Sequence, residues 1–588
     1  MMLNKQTPLL SFCKSAFLVA VFLSWITATV LFVPTLSAQT NPKNENGKTE
    51  KAKVEQPLEL PEFVITGVES MEVPGGAKQA PKPPAKLKTS DLQRFNPLDK
   101  LSFALLPQAP LPTLQLPAQE RSGFLRGEFG MFITPSIDAG YRAVLGNFDL
   151  TANVGGTLSN GHLPNADFSD VYGSLASSYL APEKFLFFGG SRTDTYVRVR
   201  NRGYKFFANT DTVNILARNA FTLSGGVQTV GAFDGWVYDM GANAEYLSLA
   251  TSLTTDTRPL ENTILNGHLL GKKVVGEWSF GGKFAATMQS VMGSLTDAYL
   301  LAPMAIVEFR SANKSAEMRL SAGAHFFNEM QRNSPGTLTF RPAARIDAVL
   351  HVSSSLSLYL EGFTGVRLNS PLELVKESPY YTVFSSSALP DSPITPTKTL
   401  YNARLYARFQ PTKEFGLTVG ASSEMNEDAL VFGGRFRRLG EIPVYRDSTT
   451  IHRLFAESAV FFDSSNTLIA RFNANIGTSR RFGIVSYLPL TEAALEYRRY
   501  WLPALSTTLI GVYVGERWFT NGINGGFPIN NPPVLPDFVD IRLHIEYQFS
   551  PQFSIYARGT NLLNQPIFIW EGYRERGIFA ALGVMLTF

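Results

Sequence analysis

Histidine and cysteine are where metal or covalent chemistry would first show, and this sequence places them poorly for it. His162, His268, His325, His351, His452 and His544 are scattered, with no second histidine or carboxylate at ligand spacing on a common element. No metal or other cofactor is expected. The stretch "GHLLGKK", Gly267 to Lys273, has the wrong glycine spacing for a phosphate loop and lacks a Ser or Thr after the lysine, so it reads as a plain loop. No nucleophile is paired with a base, and the chain does not read as an enzyme. The residues that could act on a solute are arginines. Arg142, Arg319, Arg345, Arg404, Arg408, Arg471, Arg542 and Arg558 all alternate with apolar neighbours, as do Asp138, Asp149, Glu317, Asp347, Glu361 and Glu546. Such a mixed-charge face either lines a path for polar solutes or pairs with itself across neighbouring strands.

The alternation identifies the element that carries them. In "DIRLHIEYQF", Ile541, Leu543, Ile545, Tyr547 and Phe549 share one face, and Arg542, His544, Glu546 and Gln548 share the other. The pattern returns in "LYNARLYARF" from Leu400 and in "AEMRLSAGAH" from Ala316. A soluble sandwich buries its apolar face, whereas a membrane barrel turns that face to lipid and the polar face to water. Tight connections at Thr134-Pro135, Ala181-Pro182-Glu183, Asp463 to Asn466 and Ser550 to Gln552 set against long loops around 193 to 211, 368 to 397 and 518 to 536 favour the barrel. From Ser122 to Phe588 the chain has 467 residues, and about 22 strands would leave roughly 21 residues for each strand and its share of loop. The expected fold is all-β, an antiparallel transmembrane barrel of about 22 strands over 122–588.

The end of the chain sharpens this reading. In "GIFAALGVMLTF", Ile578, Ala580, Leu582, Val584, Leu586 and Phe588 line one face of a strand that finishes on an aromatic residue. Closing a barrel consumes both edges, so this last strand should pair with the first.

Before the barrel the character changes. Lys5 and Lys14, the apolar run Ala16 to Val33 and Leu36-Ser37-Ala38 read as a secretory signal over 1–38. The only cysteine, Cys13, falls within it. Residues 39–121 form a Pro- and Lys-rich linker, expected to be disordered, that cannot build a core. Within it, Phe63, Val64, Ile65 and Thr66 could add as an edge strand to a partner's sheet. "LSFALLPQAPLPTLQL", Leu101 to Leu116, is broken by prolines and could lie extended along a lumen wall. The net charge of +4 provides no field for nucleic acid, which is dropped as a partner.

Two regions resemble TonB-dependent outer-membrane receptors. The segment 61–67, within "LPEFVITG", is similar to their energy-coupling segment. Val534 to Phe588 is similar to the end of their barrels at Leu535, Pro536, Asn561 to Asn564, Gly572, Tyr573 and Phe588, with Arg574-Glu575-Arg576-Gly577 where the family usually has Pro-Gly-Arg. The resemblance implies a Gram-negative outer-membrane location. It also implies contact with a TonB-like protein through 61–67 and reading of Phe588 as an assembly signal by the barrel-assembly machinery. The family's plug takes well over a hundred residues, and about 55 lie here between Gly67 and Ser122, so the chain is expected to lack one. The expected function is a transport or solute-binding barrel whose partners are the lipid bilayer, a TonB-like protein and a separate plug or lipoprotein. The alternative is a structural or surface-binding barrel, an adhesin or assembly platform, with no conducted substrate.

Overall fold

The computed structural model describes residues 122–588 except 186–187, 209–214, 254–255, 293–296, 332–333, 383–395, 435–439 and 521–531. The expected signal, the linker, the segment 61–67 with Phe63 to Thr66, and Leu101 to Leu116 lie outside the described residues.

Twenty-two antiparallel strands form one sheet in which each strand pairs with its neighbours in sequence order. The sheet closes where Gly123–Gly130 pairs with Phe579–Thr587, Phe124 opposite Thr587 and Gly130 opposite Ala581. No strand edge of the barrel is left open. Phe588 extends the seam, because its carbonyl accepts from Gly123 N at 2.8 Å and its own N donates to Gly123 O at 3.0 Å. Gly123 is required at this place: a Cβ there would sit 2.7 Å from the Phe588 ring.

The alternation decides which face meets what. Leu582, Val584, Leu586 and Phe588 are all exposed, as are Leu405, Leu454, Ile545 and Phe549, while the intervening polar residues point into the barrel. One end carries the shorter hairpins, among them 146–147, 234–235, 276–277, 503–504 and 551–552. Asp234 and Gly235 both have positive φ, 46° and 73°, the turn that matches the twist of paired strands. Exposed aromatics gather near this end: Phe233, Trp236, Trp278, Trp501, Phe549 and Phe588. Amphipathic rings favour the level where lipid headgroups meet hydrocarbon.

Four expectations about connections change. Ala181-Pro182-Glu183 is not a tight turn by itself but the start of the connection 181–191 between Phe168–Leu180 and Arg192–Lys205. Residues 193 to 211 are not a long loop, since 192–205 is the strand Arg192–Lys205. Its polar outer positions, Thr193, Thr195 and Asn201, hid the period. The Thr134-Pro135 hairpin, through 131–133, lies at the end that carries the long loops, so tight turns are not confined to one side. "GHLLGKK" is not a loop but the interior of the strand Asp256–Val275, with Leu269 facing out and His268 and Lys272 facing in.

Candidate functional site

All eight sequence-selected arginines lie on the inward face, opposite the exposed apolar rows. Seven are within ion-pair distance of a carboxylate: Arg142 with Asp149 at 2.5 Å, Arg345 with Asp347 at 2.9 Å, Arg404 with Glu361 at 3.8 Å, Arg471 with Glu457 at 3.6 Å, Arg542 with Asp540 at 2.6 Å, Arg319 with Glu308, and Arg558 with Glu128. Arg408 instead donates to Gln410 at 3.2 Å. Glu308 also holds Lys272, joining three strands through one carboxylate. This wall is therefore polar and internally paired. Unpaired buried charges would be costly, and partners on neighbouring strands, or two residues along the same strand for Arg345 and Arg542, offset that cost.

The strand Arg192–Lys205 adds further inward residues to this wall. Tyr196, Arg198, Arg200, Arg202 and Tyr204 alternate with Val197 and Val199, which are exposed outward. Asp170 takes both Arg200 and Arg202, the latter at 3.4 Å, while the Arg198 guanidinium lies 4.7 Å from the Tyr196 ring centre. Val197 and Val199 set between Tyr196, Arg198 and Arg200 are the signal the sequence offers, blunted on either side by Thr195 and Asn201.

The long-loop end is not an open ring. Beyond the strand Leu356–Arg367 the chain turns inward as a short helix, Pro371–Glu377. Ser370 caps it by accepting from Glu373 N at 3.2 Å, and Pro371 occupies the first turn, where its missing N–H costs nothing. The helix buries Leu372, Leu374 and Val375 against Leu247, Leu249, Leu260, Val291 and Leu300 on neighbouring strands of the wall. Each such side chain contributes roughly 1.5–3 kcal/mol by leaving water.

After the helix come two tyrosines around which the other loops gather. Tyr380 stacks on Tyr573 with ring centres 3.6 Å apart and meets Phe206 and Phe207 edge-on at 5.6 and 6.1 Å. Ile442 N donates to Tyr380 O, and Thr382 N to Ile442 O, both at 2.8 Å, tying the segment to the connection 433–443. Tyr573 Oη donates to Gly440 O at 2.6 Å. Trp570 packs on Phe432 and Tyr487, with ring centres 5.0 and 4.5 Å apart. Tyr381 is completely buried, and burial pushes both tyrosine hydroxyls well above their ordinary range.

The motif residues near the chain end build this layer. Asn561, at φ 49°, accepts from Gln565 N at 2.9 Å and donates from Nδ2 to the carbonyls of Gln565 and Arg576, fixing both ends of the 561–578 connection. Tyr573 is its inward tip. The departure at Arg574 to Gly577 is accommodated through backbone: Arg574 O accepts from His162 Nε2 at 2.8 Å. Burial holds the His162 imidazole below its ordinary value of 6.5, with Phe132 and Phe207 around the ring.

A closed 22-strand barrel with an apolar outer face, a rim of aromatics and a polar inner wall defines an outer-membrane β-barrel, and its fold is of the TonB-dependent receptor type. No protein-family model matches the sequence, and no curated protein matches it. Solved structures do. The chain is similar to the ferric yersiniabactin uptake receptor FyuA from Yersinia pestis, with TM-score 0.60 and 12% identity over 81% of each chain. It is similar to the FrpB iron transporter from Neisseria meningitidis, with TM-score 0.61 and 9% identity over 80% of this chain and 82% of that one. The ferric-catecholate import receptor Fiu from E. coli K12 aligns with TM-score 0.57 and 11% identity over 80% and 82% of the two chains.

Proposed function

We propose that this protein is an outer-membrane transporter of the TonB-dependent receptor type that carries no plug of its own. The observation that supports transport most directly is the inner wall. Twenty-two strands enclose a lumen wide enough to need filling, and its wall bears charged and hydroxyl-bearing side chains that a lipid-facing or core surface would not tolerate. Solved barrels of similar fold are named for uptake of iron complexes, which makes import the reading to test first. The absence of a plug is inferred from the sequence, from the short tract between Gly67 and Ser122. In this reading Phe63, Val64, Ile65 and Thr66 dock a TonB-like protein by strand addition, the inward arginines line the route, and Phe588 serves barrel assembly.

The docking step is tested with the full-length protein and the purified periplasmic domain of a TonB protein. Ile65→Pro removes an amide donor and bends the strand, so binding should be lost while the barrel still assembles. Equal binding by the wild type and the proline variant, or none by the wild type, would remove the energised reading and leave the surface-binding barrel.

A further inference from the structure

We infer that the segment 368–382 is a built-in gate that closes the extracellular mouth and is latched by Arg218. Arg218 stands on the inward face near the loop end of the strand Ala217–Phe233 and is only 2% exposed. Among the described residues no carboxylate lies within ion-pair distance of it. Among the described residues its hydrogen-bond partners are neutral: Nη1 donates to Pro379 O at 2.7 Å and to Tyr381 O at 2.8 Å, and Nε donates to Thr251 Oγ1 at 2.9 Å. The guanidinium also lies 4.6 Å from the Phe206 ring centre and 5.4 Å from that of Tyr381. Two of its three hydrogen bonds therefore end on the backbone of the inward-folded segment. A buried cation held this way stays favourable only while that segment is in place.

The rest of the segment's hold is of a separable kind. Tyr204 Oη donates to Pro379 O at 2.8 Å, Lys376 reaches Glu245 at 3.7 Å, and the Tyr380–Tyr573 stack joins the segment to the 561–578 connection on another part of the rim. The largest part of the hold is the apolar burial of Leu372, Leu374 and Val375; apart from the two hydrogen bonds with Ile442, all of these are contacts made by side chains, and the segment adds no strand to the barrel. It can leave without breaking a barrel ladder. Nor does the wall beneath depend on it, since Arg200 and Arg202 there are already paired with Asp170. The segment 368–382 is thus one short, separable piece of a closing layer whose other members, Phe206, Phe207, Ile442, Trp570 and Tyr573, belong to the frame around it, which is the arrangement a gate requires.

The inference goes beyond the transport reading and survives its failure, because a surface-binding barrel could have the same gate. Its test uses the cysteine-poor sequence, whose only thiol, Cys13, falls within the expected signal. Ser224 faces the lumen six residues below Arg218, about 20 Å along the strand. Ser224→Cys is placed in the full-length protein, and whole cells are treated from outside with a maleimide on a carrier too large for general porins. With the gate intact, labelling should be slow. Arg218→Ala should speed it about tenfold or more, since two charge-assisted hydrogen bonds to the segment are lost. The pair Tyr380→Ala with Tyr573→Ala, which leaves every barrel strand untouched, should do the same and decides the matter if Arg218→Ala does not assemble. Fast labelling without any gate substitution, or an unchanged rate in the assembled variants, would overturn the gate.

Discussion

His162 shows how one side chain on a connection can report on the layer that closes the barrel. Its ring is packed between Phe132 and Phe207 and donates to Arg574 O, with Glu575 favouring the proton and Arg574 and Arg576 opposing it. Because burial lowers its folded value although the Arg574 hydrogen bond works the other way, the packing of the neutral ring contributes fully above the ordinary value of 6.5, and this contribution fades as pH falls below that value. Amide exchange at 572–578, corrected for intrinsic rate, should accordingly speed up between pH 7.5 and pH 5.5. His162→Phe should flatten that dependence, whereas identical pH profiles for the two proteins would contradict the assignment. At this scale the sequence was most legible where a residue type and a period coincided: all eight arginines on one face followed from alternation alone. Arg218 did not, because its neighbours Ala217, Asn219 and Ala220 give no contrast between faces, and the two carbonyls it holds, Pro379 O and Tyr381 O, lie more than 150 residues away in sequence.

The strands that close the barrel were also legible, since an amphipathic strand ending on Phe588 has to find a partner. What spacing could not reveal is the bond that crosses the seam. Arg558, on Phe553–Thr560, reaches over the last strand to Glu128 on the first, with Nε donating to Glu128 Oε2 at 2.7 Å. The Glu128 side chain is only 8% exposed. Arg558→Ala would take away the ion-pair partner of that buried carboxylate, at a cost of about 1–3 kcal/mol, even though the arginine itself is partly solvated. The temperature at which the folded form is lost in gel-shift assays should drop. Adding Glu128→Gln should recover part of the loss, and a single variant as heat-stable as the wild type would show that the seam depends on backbone pairing alone. Connections were harder to read than strands. The loop expected at 193 to 211 is strand because Thr and Asn are tolerated at lipid-facing positions near a membrane surface, which blunts the contrast that periodicity depends on. Conversely, Ser370-Pro371-Leu372-Glu373 is a short-range helix-start pattern for "PLELVKE", but nothing local marks that helix as folding inward, because its apolar face is satisfied by strands from elsewhere in the barrel.

The whole molecule joins two surfaces of opposite character through one wall. The outer face is greasy enough to sit in lipid, the inner face is polar and charge-paired, and one mouth is filled by apolar side chains drawn from several connections. A barrel of this width without such a layer would be a large steady pore. Planar-bilayer recording therefore tests the account most directly, on the full-length wild type and on Arg218→Ala, each first shown to be assembled by heat-dependent migration. The account predicts a nearly silent wild type and a variant that opens in discrete steps of large conductance. A wild type that conducts steadily at the level of an open barrel, or a variant as silent as the wild type, would contradict it.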